Sequence, residues 1–104
     1  MRFLLKAKMV NNDKLNAKMR DGSFGRTLES IVSELKPEAT YFYAEDGFRT
    51  SLFVVDMKEA SDIPRLAEPL FAALGAQVEL FPVMLPQDLA KAQPAIEAAA
   101  KKYV

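Results

Sequence analysis

The side chains that could carry out chemistry in this chain are carboxylates, lysines, tyrosines and hydroxyls, because its 104 residues include no cysteine and no histidine. Thiolate catalysis and zinc–thiolate sites are therefore excluded. The commonest general base and the commonest transition-metal ligand are missing as well. A hydrolase triad that uses histidine is impossible, and no GxxxxGK[ST] phosphate loop occurs. We therefore expect neither a cofactor nor a metal.

Four candidate ligand-binding residues fall in one predicted hairpin. Tyr41, Tyr43, Thr50 and Leu52 alternate onto one face of its two strands. Their hydroxyls could bind or polarise a small ligand in a cavity. They could equally pack in a dimer interface and bond to water, because buried hydroxyls need partners. Both readings stay open.

Two charged candidates lie on the other predicted strands. Glu79 interrupts the apolar run from Val78 to Met84. If it were buried, its pKa would rise and it could act as a base, whereas at a sheet edge its charge would block unwanted pairing. Lys6 could pair with Glu79 or hold an acidic ligand. A solvated or snorkelling lysine is the simpler interpretation.

The hairpin itself is the strongest structural signal in the sequence. Asp46-Gly47 separates two runs of aromatic and β-branched residues, and a type I′ turn requires positive φ at both of its central positions. A two-residue turn fixes the register, so that Tyr43 opposes Thr50 and Tyr41 opposes Leu52. The other face of the hairpin then carries Phe42, Ala44, Arg49, Ser51, Phe53 and Val55. Of these, Phe42, Ala44, Phe53 and Val55 are the expected core.

The remaining patterns complete an α+β fold. Alternation from Phe3 to Met9 predicts the first strand, and apolar spacing predicts a helix through Leu35 and another from Ile63 to Leu74. A fourth strand, Val78 to Met84, contains Pro82 and so belongs at a sheet edge. The order βαββαβ is the ferredoxin-like pattern, with strand order 4-1-3-2. We predict one such domain over residues 1–104.

Three prolines and several capping residues indicate where these helices begin, end or bend. Asn11 to Asp13 offer N-caps, Gly75 is a C-terminal cap, and Pro69 is expected to kink or break its helix. A C-terminal helix begins at Pro86 and is expected to restart at Pro94.

Both faces of the hairpin are too apolar to face water. A four-stranded sheet of this size presents roughly 400 Å² per face, near the largest apolar patch that a monomer normally exposes. The helices can cover one face only. The sequence therefore predicts a homodimer through the second face.

Composition limits the possible partners and location. Acidic and basic residues balance at 14 each, without the basic excess typical of nucleic-acid binders. No run of 18 apolar residues occurs, and the first apolar stretch is too short for a signal peptide. We expect a cytoplasmic protein that contacts neither nucleic acid nor membrane.

The chain also resembles a known superfamily, the dimeric α+β barrel proteins, and within it a bacterial family of proteins of similar length to which no reaction is assigned. The narrower resemblance covers about two thirds of the chain. Its matching stretches are Leu35-Lys-Pro-Glu-Ala39, Tyr41-Phe42, Arg49-Thr50, Val54-Val-Asp-Met57, Asp62-Ile-Pro, Leu66-Ala-Glu-Pro69, Pro82-Val-Met and Pro86-Gln-Asp-Leu-Ala-Lys-Ala92.

The resemblance implies two ferredoxin-like protomers packed sheet to sheet, with an internal cavity. The superfamily includes muconolactone isomerases, cofactor-free monooxygenases, dye-decolourising peroxidases and stress-response proteins. Mechanisms there that use histidine cannot transfer to this chain, and a shared fold does not establish function.

Three functional hypotheses follow. The first is a homodimeric protein whose intersheet cavity binds a small, partly apolar ligand. The second is a cofactor-free isomerase or monooxygenase that uses Tyr or Glu in that cavity. The third is an interaction module whose sheet only joins two protomers.

Overall fold

The computed structural model describes all residues from Met1 to Val104. It has four antiparallel strands and four α-helices. In chain order these are β1 (Arg2–Met9), α1 (Asp13–Asp21), α2 (Phe24–Leu35), β2 (Ala39–Glu45), β3 (Phe48–Asp56), α3 (Ile63–Leu74), β4 (Gln77–Pro82) and α4 (Pro86–Tyr103), with a 3₁₀ turn at Ala60–Asp62 before α3. The sheet order β2-β3-β1-β4 is the predicted order, and the fold is compatible with a ferredoxin-like domain.

The hairpin has the predicted turn and register. Asp46 and Gly47 both have positive φ, at 54° and 82°, and Tyr43 pairs with Thr50 as Tyr41 pairs with Leu52. At the opposite edge, Pro82 ends β4, which pairs only with β1. The edge position that proline requires is therefore confirmed.

The core lies between one sheet face and the helices α1, α2 and α3. Leu5 and Phe53 pair with each other across β1 and β3, and both are fully buried. They belong to a cluster that includes Leu15 of α1, Ile31 of α2 and Leu66 of α3. The alternation in β1 predicted this face, because burial of its apolar side favours strand pairing in one register only.

Two residues expected in the core are not buried. Phe42 is 59% exposed and Ala44 is also exposed, although both point to the helix side of the sheet. The reason is their position on β2, an edge strand that the helix layer does not reach. Phe53 and Val55, on the inner strand β3, are buried as predicted.

Asn12 joins three elements at one end of the core. Its side-chain oxygen accepts a hydrogen bond from the Leu15 amide at 2.8 Å and so caps α1 as predicted. Its amide nitrogen donates to the carbonyls of Val10, at 2.9 Å, and Leu74, at 3.2 Å. The end of β1, the start of α1 and the end of α3 are thus linked through one side chain.

The two interior prolines do not interrupt their helices. Pro69 lies inside α3 and Pro94 lies inside α4, and each helix is continuous, so of the kink or break expected at Pro69 the break does not occur, and the restart predicted at Pro94 is wrong. In α3 the burial of Leu66, Leu70 and Leu74 offsets the hydrogen bond that Pro69 removes. In α4 no residue is buried, so the protomer provides no such compensation.

Candidate functional site

The sheet face opposite the helices, called the open face here, carries all six residues singled out from the sequence. The residues lie in rows across β2, β3, β1 and β4. The row near the turn is Tyr43, Thr50, Lys8 and Gln77; the next is Tyr41, Leu52, Lys6 and Glu79; the third is Ala39, Val54, Leu4 and Phe81. The open face is therefore polar towards the hairpin turn and apolar towards its other end.

The polar half is an ionic cluster, defined as Lys6, Lys8, Glu45, Asp46 and Glu79. Lys6 Nζ lies 2.8 Å from a Glu45 oxygen and 3.6 Å from Glu79. Lys8 Nζ lies 3.0 Å from Asp46 and 3.4 Å from Glu45. The two lysine side chains are only 16% and 17% exposed. Each ammonium group thus has two carboxylate partners, and the cluster of two lysines and three carboxylates carries one net negative charge.

Glu45 is the centre of this cluster. It accepts from Lys6 and also from the Tyr43 hydroxyl, which donates at 3.0 Å. The hydrogen bond from Lys6, then that from Tyr43, lowers the pKa of the Glu45 carboxyl. The same contact with Glu45 raises the pKa of Lys6. Burial, and then the bond to Glu45, raises the pKa of Tyr43.

These shifts decide what the cluster can do chemically. At neutral pH Glu45 stays ionised, Lys6 stays charged and Tyr43 keeps its proton. A general base needs a pKa near the working pH, and each of these three shifts leads away from it. In this protomer the cluster is suited to binding and orienting polar groups through fixed charges, and it contains no activated base among these three residues.

The other candidates are placed differently. Leu52 and Tyr41 begin the apolar half, where Tyr41 is 59% exposed. Glu79 is 53% exposed at its side chain, so it is not the buried carboxylate that the catalytic interpretation requires. Thr50 is 1% exposed and its hydroxyl already donates to the Phe48 carbonyl at 3.0 Å. Thr50 therefore lies beneath the exposed side chains of the open face, and its hydroxyl proton is not available to a ligand.

Sequence reasoning missed Glu45 and Lys8. Glu45 pairs with Phe48 in the hairpin, at the end of the same register that pairs Tyr43 with Thr50. The signal was its position two residues after Tyr43, which puts both side chains on one strand face. Lys8 shares the face of Lys6 for the same reason. The contact between Lys6 and Glu45 crosses from β1 to β2, and only the strand order reveals it.

Helix α4 is a second surface without a partner in the protomer. Leu89, Ala92, Ile96, Ala99 and Tyr103 recur at spacings of three and four along its 18 residues, the pattern of a helix that packs on another helix. Leu89 is 47% exposed and Ile96 46%. The radius of gyration is 17.3 Å, against about 13 Å for a compact domain of this length. The difference reflects α4, which extends from the sheet rather than covering it.

Acid should weaken the protomer partly through Glu45. A carboxyl whose folded pKa is lowered stabilises the fold above its unfolded pKa of about 4.3, and that contribution disappears as the pH falls through the lowered folded value. We expect Glu45→Gln to lower the Tm at pH 7, and the difference from wild type to shrink below about pH 4. Thermal unfolding between pH 7 and pH 3 measures it. Glu29→Gln, at an exposed position of α2, is the control. A Tm difference that persists unchanged at pH 3 would contradict this role.

Comparison with known proteins adds no assignment: neither a protein-family model nor a curated protein matches the chain. None of its helices has the length and apolar character needed to cross a membrane.

Proposed function

We propose that this protein is a homodimer that packs through its open faces and α4 helices and binds a small, partly apolar molecule between the sheets. One observation carries the proposal: exposed large apolar side chains follow one another along the chain from the apolar half of the open face into α4. β4 ends at Pro82, beside the row that contains Phe81, and α4 begins at Pro86. Phe81, Met84, Leu89 and Ile96 are all exposed large apolar side chains.

The area of this surface favours a second copy of the chain as its cover. Two open faces of about 400 Å² each would bury roughly 800 Å², the upper size of nonspecific contacts. An 18-residue helix is about 27 Å long and 10 Å wide. Adding α4 from both protomers brings the total to roughly 1,300 Å², within the range of specific interfaces. The ion pairs within each cluster leave only one net negative charge per face, which limits the repulsion between two identical faces.

The stability of α4 supports the same assembly. Most helical stability in proteins comes from packing of an apolar face, and an interior proline such as Pro94 costs about 3 kcal/mol. No residue of α4 is buried in the protomer. Contact with a partner's surface would supply the burial that α4 lacks.

The ligand is inferred from the division of the open face into two halves. Apolar side chains such as Leu4 and Val54 can pack against a partner. The ionic cluster, in contrast, loses stability if its charged groups are desolvated by contact with apolar side chains. We expect the polar half to border a space that retains water or a polar group. A molecule with a polar end near Lys6 and Tyr43 and an apolar body near Leu52 fits such a space.

Oligomeric state is the first test. Leu52→Asp and Ile96→Asp each place a charge in the proposed interface, while Phe71→Asp places one at a position of α3 whose exposure, 44%, matches the 46% of Ile96. By light scattering after size exclusion, we expect a dimer for wild type and Phe71→Asp, and monomers for the other two at the same concentration. A Leu52→Asp protein that remains a dimer would remove the open face from the interface.

Native mass spectrometry tests the ligand separately. We expect the gently purified dimer to carry an additional bound species, which the Leu52→Asp monomer lacks. A dimer of bare protein mass would contradict ligand binding and leave the interaction module as the function.

A further inference from the structure

A groove of about 770 Å³ lies beside the hairpin turn, and its lining includes Phe42, Ala44 and Arg49 from the helix side of the sheet together with Tyr43 and Thr50. It opens between the first turns of α2, at Phe24 and Leu28, and the hairpin, at Phe42 and Phe48. Its volume is within the range of small-molecule sites, roughly 300–1,000 Å³. The groove exists because the helix layer stops short of the edge strand β2, which also leaves Phe42 exposed.

Arg49 is the only charged residue that lines this groove. Its guanidinium takes part in none of the ion pairs of the protein. The nearest acids along the chain, Glu45 and Asp46, are held by Lys6 and Lys8 on the open face. A guanidinium presents a planar fork of donors that matches a carboxylate. The groove therefore pairs an apolar, aromatic wall with one uncompensated cation.

A second polar group, Ser51, neighbours the groove's lining residues on the strands but does not line the groove itself. Ser51 is two residues from Arg49 along β3, on the same sheet face, and pairs with Phe42 of β2. Its hydroxyl is fully buried and is the one buried side-chain polar atom without a hydrogen-bond partner. Buried hydroxyls normally have a partner.

We propose that this groove binds a small aromatic monocarboxylate, with its ring against Phe24 and Phe42 and its carboxylate on Arg49. The charge of the site selects an anion, and its aromatic wall selects an apolar body. Because Phe42 and Arg49 lie on the helix side of the sheet, away from the open face, the proposed contacts do not depend on the proposed dimer.

The test compares 3-phenylpropionate with 3-phenylpropionamide, a neutral molecule of nearly the same shape. Binding is followed by titration of amide chemical shifts in wild type, Arg49→Gln, Phe42→Ala and Arg26→Gln. The last variant removes an arginine of α2 that does not line the groove. We expect wild type and Arg26→Gln to bind the acid at least tenfold more tightly than the amide, with shifts at Gly47 and Phe48.

Each variant has a distinct expected outcome. Arg49→Gln should abolish the preference for the acid while still binding the amide as wild type does, and Phe42→Ala should weaken both molecules alike. Three results would overturn the proposal: no binding of the acid at millimolar concentration, equal binding of acid and amide by wild type, or a preference that survives Arg49→Gln.

Discussion

Replacing Phe53 with Ala is expected to destabilise the protomer by about 3–5 kcal/mol. Phe53 is fully buried on β3, an inner strand paired on both sides, and belongs to the cluster formed by the sheet and the helices α1, α2 and α3. The loss combines the transfer of the ring to water with the cavity left in a core that cannot collapse onto it. Small domains have a total stability of about 5–15 kcal/mol, so much of it would disappear.

Urea unfolding followed by circular dichroism measures this effect, and Leu52→Ala is the matched control. Leu52 is the preceding residue on the same strand, but it faces the open side and is only partly buried. If the proposed dimer forms, the cost of Leu52→Ala should depend on protein concentration, since dimerisation adds to apparent stability, while the cost of Phe53→Ala should persist at every concentration. A loss below about 1.5 kcal/mol for Phe53→Ala would contradict the core described here.

The second large effect is expected at Gly75, the residue that ends α3. Its φ is +60°, and an added Cβ would lie 3.0 Å from the side-chain nitrogen of Asn12. An alanine there is strained by about 1–2 kcal/mol. It also displaces the side chain that caps α1, which is worth about 1 kcal/mol more. We expect Gly75→Ala to reduce the free energy of unfolding by about 2–3 kcal/mol in total.

Two comparisons separate these causes. Gly22 also has positive φ, 78°, but an added Cβ would meet nothing within 4 Å, so Gly22→Ala reports strain alone. In a double-mutant cycle, Asn12→Ala removes the side chain that Gly75→Ala displaces, so the two costs should sum to more than the double variant loses. Additive costs, or equal losses for Gly22→Ala and Gly75→Ala, would show that the contact with Asn12 is unimportant.

The sequence was sufficient for the sheet because its strongest signals are local. Asp46-Gly47 determined the turn and the register, and Pro82 placed β4 at an edge, since a proline has no amide to donate. The alternation in β1 determined which side of that strand meets the helices. Each of these features depends on neighbouring residues or on one rule of strand geometry.

The errors concern features that depend on the rest of the fold. Pro69 lies in a continuous helix because the packing of α3 outweighs a local preference. Phe42 has the composition of a core residue, but only the extent of the helix layer determines its exposure. Glu45 acquires its role from lysines of β1, and Lys6 is 39 residues away from it along the chain. A local spacing pattern cannot reveal a contact between residues so far apart in sequence.

The exposed edge strand β2 has a consequence for handling the protein. Tyr41, Phe42 and Tyr43 are 59%, 59% and 40% exposed, and one side of β2 has no neighbouring strand. Short aromatic segments of this kind, with unpaired backbone groups, are templates for intermolecular β-aggregation. The first charge that interrupts this segment is Glu45 at the turn, so protonation of Glu45 in acid, below its lowered pKa, also removes a barrier to fibril growth. Samples that lose their native assembly at low pH are therefore expected to deposit as β-rich aggregates nucleated at residues 40–44.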